Sequence, residues 1–215
     1  MNRKNHIKLL QGILFFLFCS CLAIGQNFKP VANFDKIQAE INKTAESIKT
    51  IKSNFVQEKQ LSFLNVPVKS EGLFRYKKEN QLRWEYTEPF KYLILFNGNE
   101  IVIKDGSNTN VFDAGSNALF KQINDLMLGA VKGDLGKNKD FAFSLNESSG
   151  QYQLLLKPTN ANMKKYVAAV EIYFEKADLA VSSIKIIEST GDFTKITFND
   201  RKFNEPIDEK TFTSN

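Results

Sequence analysis

The residue types that most often perform catalysis or bind metals are confined to the start of this chain. The single histidine, His6, and both cysteines, Cys19 and Cys21, lie within the first 21 of its 215 residues. If that stretch is removed, no imidazole and no thiol is left. A Ser-His-Asp triad, a cysteine nucleophile, a disulfide and a cysteine or histidine metal site are then excluded.

Catalysis by carboxylates, by a serine–lysine pair or by tyrosine remains possible. Asp105 and Asp113 are the candidates for a hydrolase, but each lies at a predicted turn, beside Gly106 and near Gly115. Aspartate is favoured at turns because its side chain hydrogen-bonds to the local backbone. We therefore predict that the protein is not an enzyme and that it needs no metal or cofactor.

The first 25 residues have the pattern of a secretory signal peptide. A basic start is followed by an apolar run of about twelve residues, which is shorter than the roughly 20 residues needed to span a bilayer. Small residues in Ala23-Ile24-Gly25 mark a cleavage site before Gln26. Two alternatives are an uncleaved anchor and a lipid attached at Cys21. The prediction divides the chain into a signal peptide, 1–25, and one domain, 26–215.

Removing residues 1–25 lowers the net charge from +5 to +2, because that stretch contains three basic and no acidic residues. A near-neutral domain does not have the electrostatic pattern of a nucleic-acid-binding protein. The proportions of 42% hydrophobic and 25% charged residues are those of a folded globular protein. The exported domain is therefore predicted to be folded and soluble, without a nucleic-acid partner.

One amphipathic helix precedes a long β-rich region. Apolar residues from Phe34 to Phe55 recur at steps of three and four, which predicts a helix with its start near Pro30 and Asn33. A second apolar series with helical spacing runs from Asn117 to Val131 and includes Phe120, Ile123 and Met127.

The spacing of apolar residues then changes to two, which predicts strands with one apolar face. Asn97-Gly98 is a strong signal for a two-residue hairpin turn. About eleven strands are predicted, near 55–62, 67–77, 81–87, 91–96, 100–105, 109–113, 140–146, 151–157, 166–175, 180–189 and 193–200. The expected fold is mainly β with helices (α+β): a single strongly curved antiparallel sheet, with helices on its concave side.

The concave face has more aromatic residues than a plain core requires. Sixteen of the nineteen phenylalanines, the single tryptophan and six tyrosines follow the predicted signal peptide. Aromatic residues fill cores well, and this is one explanation. The other is that a curled sheet of so many strands encloses a cavity, which would suit an apolar ligand.

Several short motifs lie along the predicted domain: Asn54-Phe55-Val56-Gln57, Glu71-Gly72-Leu73-Phe74-Arg75-Tyr76, Leu82-Arg83-Trp84-Glu85-Tyr86, Pro89, Phe96-Asn97-Gly98-Asn99-Glu100-Ile101, Phe203-Asn204-Glu205-Pro206-Ile207 and Phe212. Together they resemble the motifs of the periplasmic outer-membrane lipoprotein carrier family, LolA-like proteins. The resemblance implies an unclosed β-barrel with a helical lid. It also implies a monomer in the periplasm that binds the acyl chains of lipoproteins and ferries them from the inner to the outer membrane.

The implied partners are acylated lipoproteins, an inner-membrane lipoprotein-releasing transporter and an outer-membrane acceptor. In the family, a basic residue shortly before the tryptophan helps to hold the lid. The matching position is Lys78, followed by Glu79 where the family often has proline, and lysine lacks the planar fork of arginine. Lys78 is therefore a candidate for lid gating, and a solvated turn residue is the alternative.

Residues that face inward at a spacing of two are the predicted acyl-chain site. They are Phe74, Tyr76, Leu82, Trp84, Tyr86, Ile94, Phe96, Ile172, Phe174, Ile184 and Ile186, with Phe120, Ile123 and Met127 as lid contacts. An alternative function on the same fold is a module that senses lipid or lipoprotein in envelope signalling, or serves as an outer-membrane receptor.

Overall fold

The computed structural model describes residues 27–78, 80–113 and 140–213. The predicted signal peptide, the second predicted helix and the lid contacts Phe120, Ile123 and Met127 lie outside these residues. Within them, one antiparallel sheet and one main helix make up almost all of the fold.

The helix α1 spans Phe34–Ser47 and begins where the sequence indicates. The side chain of Asn33 accepts a hydrogen bond of 3.1 Å from the backbone N–H of Lys36, which caps the first turn. The prediction that the helix continues to Phe55 is wrong, because Ile48 is already extended and a strand begins at Thr50.

The wrong boundary has a simple geometric cause. Ile51 and Phe55 are four residues apart, a step that keeps two residues on one face of a helix. Four is also an even number, so the same step keeps them on one face of a strand. Ile51, Ser53 and Phe55 are all buried, which is the alternation of a strand.

The described strands number twelve, and each pairs with its neighbours in antiparallel fashion. Their bounds are β1 Lys29–Pro30, β2 Thr50–Gln60, β3 Val68–Lys77, β4 Gln81–Glu88, β5 Tyr92–Asn97, β6 Glu100–Asp105, β7 Asn108–Asp113, β8 Phe141–Glu147, β9 Gln151–Pro158, β10 Val167–Glu175, β11 Val181–Glu188 and β12 Phe193–Phe203. A four-residue helix, α2, spans Ala161–Lys164, and a 3-10 helix spans Glu209–Phe212.

The order of strands across the sheet is β1-β8-β9-β10-β11-β12-β2-β3-β4-β5-β6-β7. Strands β1 and β7 are the two ends of this order and do not pair with each other, so the curved sheet is not closed into a barrel. The predicted fold class is confirmed. The central pairing of β12 with β2 joins the two halves of the chain, for example through the pair Phe198 and Phe55.

The core lies on one face of the sheet, here called the inner face, in two apolar clusters. One cluster is centred on Phe74, Trp84 and Leu82, and the other on Ile172 and Ile184. Helix α1 lies on the second cluster. The outer face has a small cluster of its own, formed by Leu93, Leu95 and Val102.

The C-terminal segment is fixed to the outer face of β4. One guanidinium nitrogen of Arg83, Nη1, donates hydrogen bonds to the backbone carbonyls of Thr211 at 3.0 Å and Thr213 at 3.4 Å. Phe212 between them is buried. The Phe212 motif seen in the sequence is thus part of the outer-face packing, remote from the inner face.

Candidate functional site: an apolar cavity under helix α1

An apolar cavity lies between helix α1 and the inner face of the sheet. Ile41, Ala45 and Ile48 cover it from the helix side. The wall and floor come from the strands and from the β10–β11 turn: Ile51, Ser53, Phe74, Leu82, Phe174, Leu179, Ala180, Val181, Ile184, Phe198, Arg201 and Phe203. Almost every side chain in this set is apolar, which suits a hydrocarbon ligand.

The cavity measures about 40 Å³. An apolar cavity of about 150 Å³ holds one benzene molecule, so a sixteen-carbon chain needs roughly 400 Å³ on the same scale. The cavity can therefore hold one small group at most in this arrangement. A long chain can enter only if side chains or helix α1 move away from the sheet.

Helix α1 is attached to the sheet by few contacts. Ile41 is the only residue of the helix that is fully buried. Phe34 stacks on Phe143 of β8, with ring centroids 5.6 Å apart. These contacts are apolar and can be exchanged for contacts with an apolar ligand at little cost, because dispersion and burial are not directional.

Eleven of the fourteen predicted acyl-site residues lie in the described part of the chain, and all eleven are on the inner face. Phe74, Tyr76, Leu82, Trp84, Tyr86, Ile94 and Phe96 belong to the first cluster, and Ile172, Phe174, Ile184 and Ile186 belong to the second. Four of the eleven border the cavity: Phe74, Leu82, Phe174 and Ile184. The others form the apolar surroundings of the cavity.

Aromatic rings form a continuous series along the inner face. Phe198 lies 5.3 Å from Phe74 between ring centroids, and Phe74 lies 5.6 Å from Trp84. The series continues from Trp84 to Tyr86 at 6.4 Å, and from Tyr86 to Tyr92 at 6.1 Å. It therefore runs from the cavity wall to the first residue of β5, at the end of the sheet remote from the C-terminus of α1.

Two side chains of this aromatic series, Trp84 and Tyr86, have a polar group within the apolar inner face. The indole Nε1 of Trp84 is buried and has no hydrogen-bond partner among the described residues. The hydroxyl of Tyr86 donates a hydrogen bond of 2.9 Å to Oε1 of Gln57. Burial raises the pKa of the Tyr86 phenol. The hydrogen bond to Gln57 opposes this rise, and so does the indole N–H of Trp84, which lies near the phenol oxygen but not in hydrogen-bonding geometry.

Tyr76 lies deeper in the same cluster and is among the largest fully buried side chains. Burial raises the pKa of its phenol, since the ionised form would lose its hydration. Tyr76 and Tyr86 are therefore neutral at ordinary pH, and neither adds a charge to the inner face.

Lys78 contacts helix α1. Its Nζ donates a hydrogen bond of 3.1 Å to the backbone carbonyl of Glu46, in the last turn of the helix. Its backbone N–H also donates to the carbonyl of Lys49 at 2.8 Å. Helix α1 has no basic residue of its own in that turn, so Lys78 supplies the positive charge that the helix C-terminus favours.

Eleven of the fifteen residues that line the cavity are not among the predicted site residues, and three of them show why. Phe198 alternates with Ile196 in a predicted strand and could have been found by the same spacing rule. Ala45 lies on the apolar stripe of the helix. Arg201 gave no signal, because its role follows from the fold: Nη1 donates to the carbonyls of Ala180 and Val181, and Nη2 pairs with Asp178 at 2.9 Å.

The carboxylates that raised the possibility of a hydrolase lie away from the cavity. Asp105 ends β6 and Asp113 ends β7, and both are exposed. Among the described residues, no group of three histidine, cysteine, aspartate or glutamate side chains could hold a metal ion. Nor does any helix in residues 27–78, 80–113 and 140–213 have the length and hydrophobicity to cross a membrane.

Comparison with known proteins supports the same interpretation of the fold. A profile of the family described as outer membrane lipoprotein carrier protein LolA matches residues 46–215. The outer-membrane lipoprotein carrier protein of Pseudoalteromonas translucida is 22% identical over 170 residues, which are 77% of this chain and 76% of that protein.

Two further proteins are similar to this chain, one in sequence and one in structure. The sporulation protein YdcC of Bacillus subtilis is 25% identical over 98% of this chain, which spans only 60% of that protein's length. An uncharacterized conserved protein from Thermus thermophilus has a solved structure that matches with a TM-score of 0.51 at 11% identity, covering 83% of this chain and 91% of that one. Since the family profile spans most of the chain, the protein belongs to the LolA family of outer-membrane lipoprotein carrier proteins.

Proposed function

We propose that the protein is a periplasmic carrier that binds the acyl chains of lipoproteins on the inner face of its sheet and takes them from the inner to the outer membrane. The observation that supports this most directly is the apolar cavity under α1, which is bordered by Phe74, Leu82, Phe174 and Ile184. Membership of the carrier family supports the same role.

The energetics favour a carrier for such a ligand. Each methylene group left in water costs about 0.8 kcal/mol, so a sixteen-carbon chain costs on the order of 12 kcal/mol. An acylated protein therefore leaves a membrane very slowly without help. We propose that α1 moves off the sheet when a chain binds, so that apolar contacts to Ile41 and Ala45 are replaced by contacts to the chain.

The buried indole of Trp84 supplies a polar contact for the same ligand. An unpaired buried donor costs about 1–3 kcal/mol, and a ligand that accepts its hydrogen bond recovers this energy. The chains of a lipoprotein are attached through ester and amide carbonyls, which are acceptors. We therefore propose that one of these carbonyls binds the Nε1–H of Trp84.

The proposed partners follow from the proposed route. A transporter in the inner membrane releases the lipoprotein to the carrier, and an acceptor at the outer membrane receives it. Binding without catalysis is enough for this role, because the acyl chains are only transferred between apolar surroundings.

Uptake of a fluorescent fatty-acyl probe tests the proposal. We expect purified protein to bind the probe and the emission of Trp84, the only tryptophan of the chain, to change as it binds. Ala45 borders the cavity, so Ala45→Phe should fill it and weaken binding at least tenfold. Ala39 is exposed on the same helix, and Ala39→Phe should leave binding unchanged.

A well-folded protein that takes up no probe would contradict the proposal, and so would equal effects of the two alanine substitutions. Transfer is tested separately, with a radiolabelled triacylated lipoprotein and vesicles of inner and outer membranes. The carrier should raise the rate at which label reaches the outer-membrane vesicles.

Lys78 is proposed to regulate the opening of α1. Lys78→Met removes the ammonium group that bonds the Glu46 carbonyl and keeps most of the aliphatic stem. A helix C-terminus prefers a cation by about 0.3–1 kcal/mol, so we expect probe uptake to become about two- to fivefold faster. Stopped-flow fluorescence measures this rate.

Lys157→Met is the matched control, because Lys157 is exposed on β9 and has no described contact with α1. Its uptake rate should equal that of the unmodified protein. If Lys78→Met also leaves the rate unchanged, Lys78 is a turn residue that does not regulate the helix.

A further inference from the structure

Exposed large apolar side chains are concentrated at one end of the sheet. Of the eight in the described part of the chain, five lie in or directly beside the loops at that end: Phe63, Val66, Val68, Phe90 and Tyr166. The three others, Val111, Phe112 and Phe143, lie within strands β7 and β8. Scattered exposed apolar residues are common, but a concentration of this kind marks an interaction surface.

The five residues come together because the sheet is antiparallel. The β2–β3 loop (residues 61–67), the β4–β5 loop (89–91) and the β9–β10 connection (159–166) all leave the sheet at the same end. We call these three segments the loop rim. They extend along seven adjacent strands, from β10 to β5, which is an arc of about 30 Å at the usual strand spacing.

The backbone of the loop rim has many of its hydrogen bonds within the protein. The N–H of Ser62 donates to Oδ1 of Asp192 at 2.7 Å, and Nε2 of Gln60 donates to the carbonyl of Leu64 at 2.9 Å. The carbonyl of Tyr166 accepts a bond of 3.1 Å from the N–H of Ser189. Such loops can approach an apolar phase at lower cost, because these polar groups do not lose a partner.

The charge of the loop rim has one sign. Its sequences, LSFLNVP, PFK and TNANMKKY, contain three lysines and no acidic residue, and Lys91, Lys164 and Lys165 are all exposed. The acidic residues beside these segments include Glu88, directly before Pro89, and Asp192 of the β11–β12 loop, which is paired with the N–H of Ser62. Two of them directly neighbour an exposed ring, in Phe90-Lys91 and Lys165-Tyr166. Aromatic rings next to lysines are typical of surfaces that lie at the boundary of an anionic membrane.

We propose that the loop rim docks the protein on the surface of an anionic lipid bilayer. Phe63, Phe90 and Tyr166, which are 77%, 80% and 73% exposed, enter the interfacial layer, and the three lysines contact the headgroups. The aromatic series of the inner face ends at Tyr92, two residues after Phe90. Docking therefore brings the apolar face next to the bilayer, where a chain can pass without crossing water.

Flotation with lipid vesicles tests this proposal. The purified protein should bind vesicles of phosphatidylglycerol and phosphatidylethanolamine in low salt, and bind vesicles of phosphatidylcholine at least fivefold less. The combined variant Phe63→Ser, Phe90→Ser and Tyr166→Ser should bind the anionic vesicles at least tenfold less. Val111, which is 60% exposed on β7, provides the control variant Val111→Ser, which should bind normally.

A variant without the three lysines tests the electrostatic part of the proposal in the same flotation experiment. Replacing Lys91, Lys164 and Lys165 with glutamine should remove the preference for anionic vesicles and leave any residual binding insensitive to salt. The proposal is overturned if the protein does not float with either vesicle, or if the serine variant floats like the unmodified protein. Binding to a protein partner alone, without vesicle binding, overturns it as well.

The docking proposal adds to the proposed carrier function and fails independently of it. None of the three residues changed in the serine variant borders the cavity, so this variant should take up the fatty-acyl probe normally, which also shows that it is folded. Normal uptake without flotation refutes docking alone, whereas flotation without uptake by the unmodified protein refutes the carrier.

Discussion

Replacing Phe74 with alanine is expected to lower the free energy of unfolding by about 3–5 kcal/mol. Phe74 is 3% exposed, and its ring centroid lies 5.6 Å from that of Trp84 and 5.3 Å from that of Phe198. The substitution removes contacts to both rings and leaves an empty volume beside the existing cavity. Urea denaturation followed by circular dichroism measures the loss.

The control for this experiment is Phe90→Ala. The change in side chain is identical, but Phe90 is 80% exposed at the loop rim, so its removal should alter stability by less than about 0.5 kcal/mol. Similar losses for the two variants, or a loss below about 1 kcal/mol for Phe74→Ala, would show that the inner face is not the packed core of the protein.

The position of Phe74 could be predicted from the sequence because strand alternation is a local property. Leu82 pairs with Tyr76 and Phe96, and Trp84 pairs with Phe74. Each of these residues was assigned to the inner face from its own strand alone. Once the hairpin turns fix which strands are neighbours, a spacing of two is enough to place the whole set on one face.

The composition of the cavity could not be predicted in the same way. Phe55 lies opposite Phe198, although the two are separated by more than half of the chain. Arg201 reaches the cavity through its bonds to the β10–β11 turn. The first contact depends on the pairing of β12 with β2, which leaves no local pattern in the sequence, and the second depends on backbone carbonyls, which have no sequence signature.

The contact of Lys78 illustrates a third limit. The resemblance implied that Lys78 holds a lid, and the predicted lid contacts Phe120, Ile123 and Met127 lie outside the described residues. The bond that the structure shows joins Lys78 to the backbone of α1 at Glu46. A backbone carbonyl has no sequence signature, so the partner helix could be identified only from coordinates. Whether this bond regulates ligand entry is the question that the Lys78→Met experiment addresses.

Gly72→Ala is expected to destabilise the protein by at least about 3 kcal/mol. Gly72 lies at an irregularity in the pairing of β3 with β4, where the chain comes very close to its neighbours. An added Cβ would overlap the backbone carbonyl oxygen of Glu85 and would lie 2.6 Å from Cζ of Phe55. Thermal and urea denaturation of the variant measure the loss.

Gly150→Ala provides the control for a general effect of replacing glycine. An added Cβ at Gly150 would meet no atom within 4 Å. The substitution should therefore be neutral or stabilise the protein by about 0.4–1 kcal/mol, because it restricts the unfolded chain. A loss at Gly150 as large as that at Gly72 would contradict the explanation by close contact.

A double variant separates the two contacts at Gly72. Phe55→Leu shortens the side chain that lies over the glycine, so combining it with Gly72→Ala should relieve the overlap with the ring. The loss for the double variant is then expected to be smaller than the sum of the two single losses by about 1 kcal/mol or more. Rescue should remain incomplete, since the carbonyl of Glu85 belongs to the neighbouring strand and cannot move without disturbing the β3–β4 pairing. Simple addition of the two losses would show that the ring of Phe55 does not require glycine at position 72.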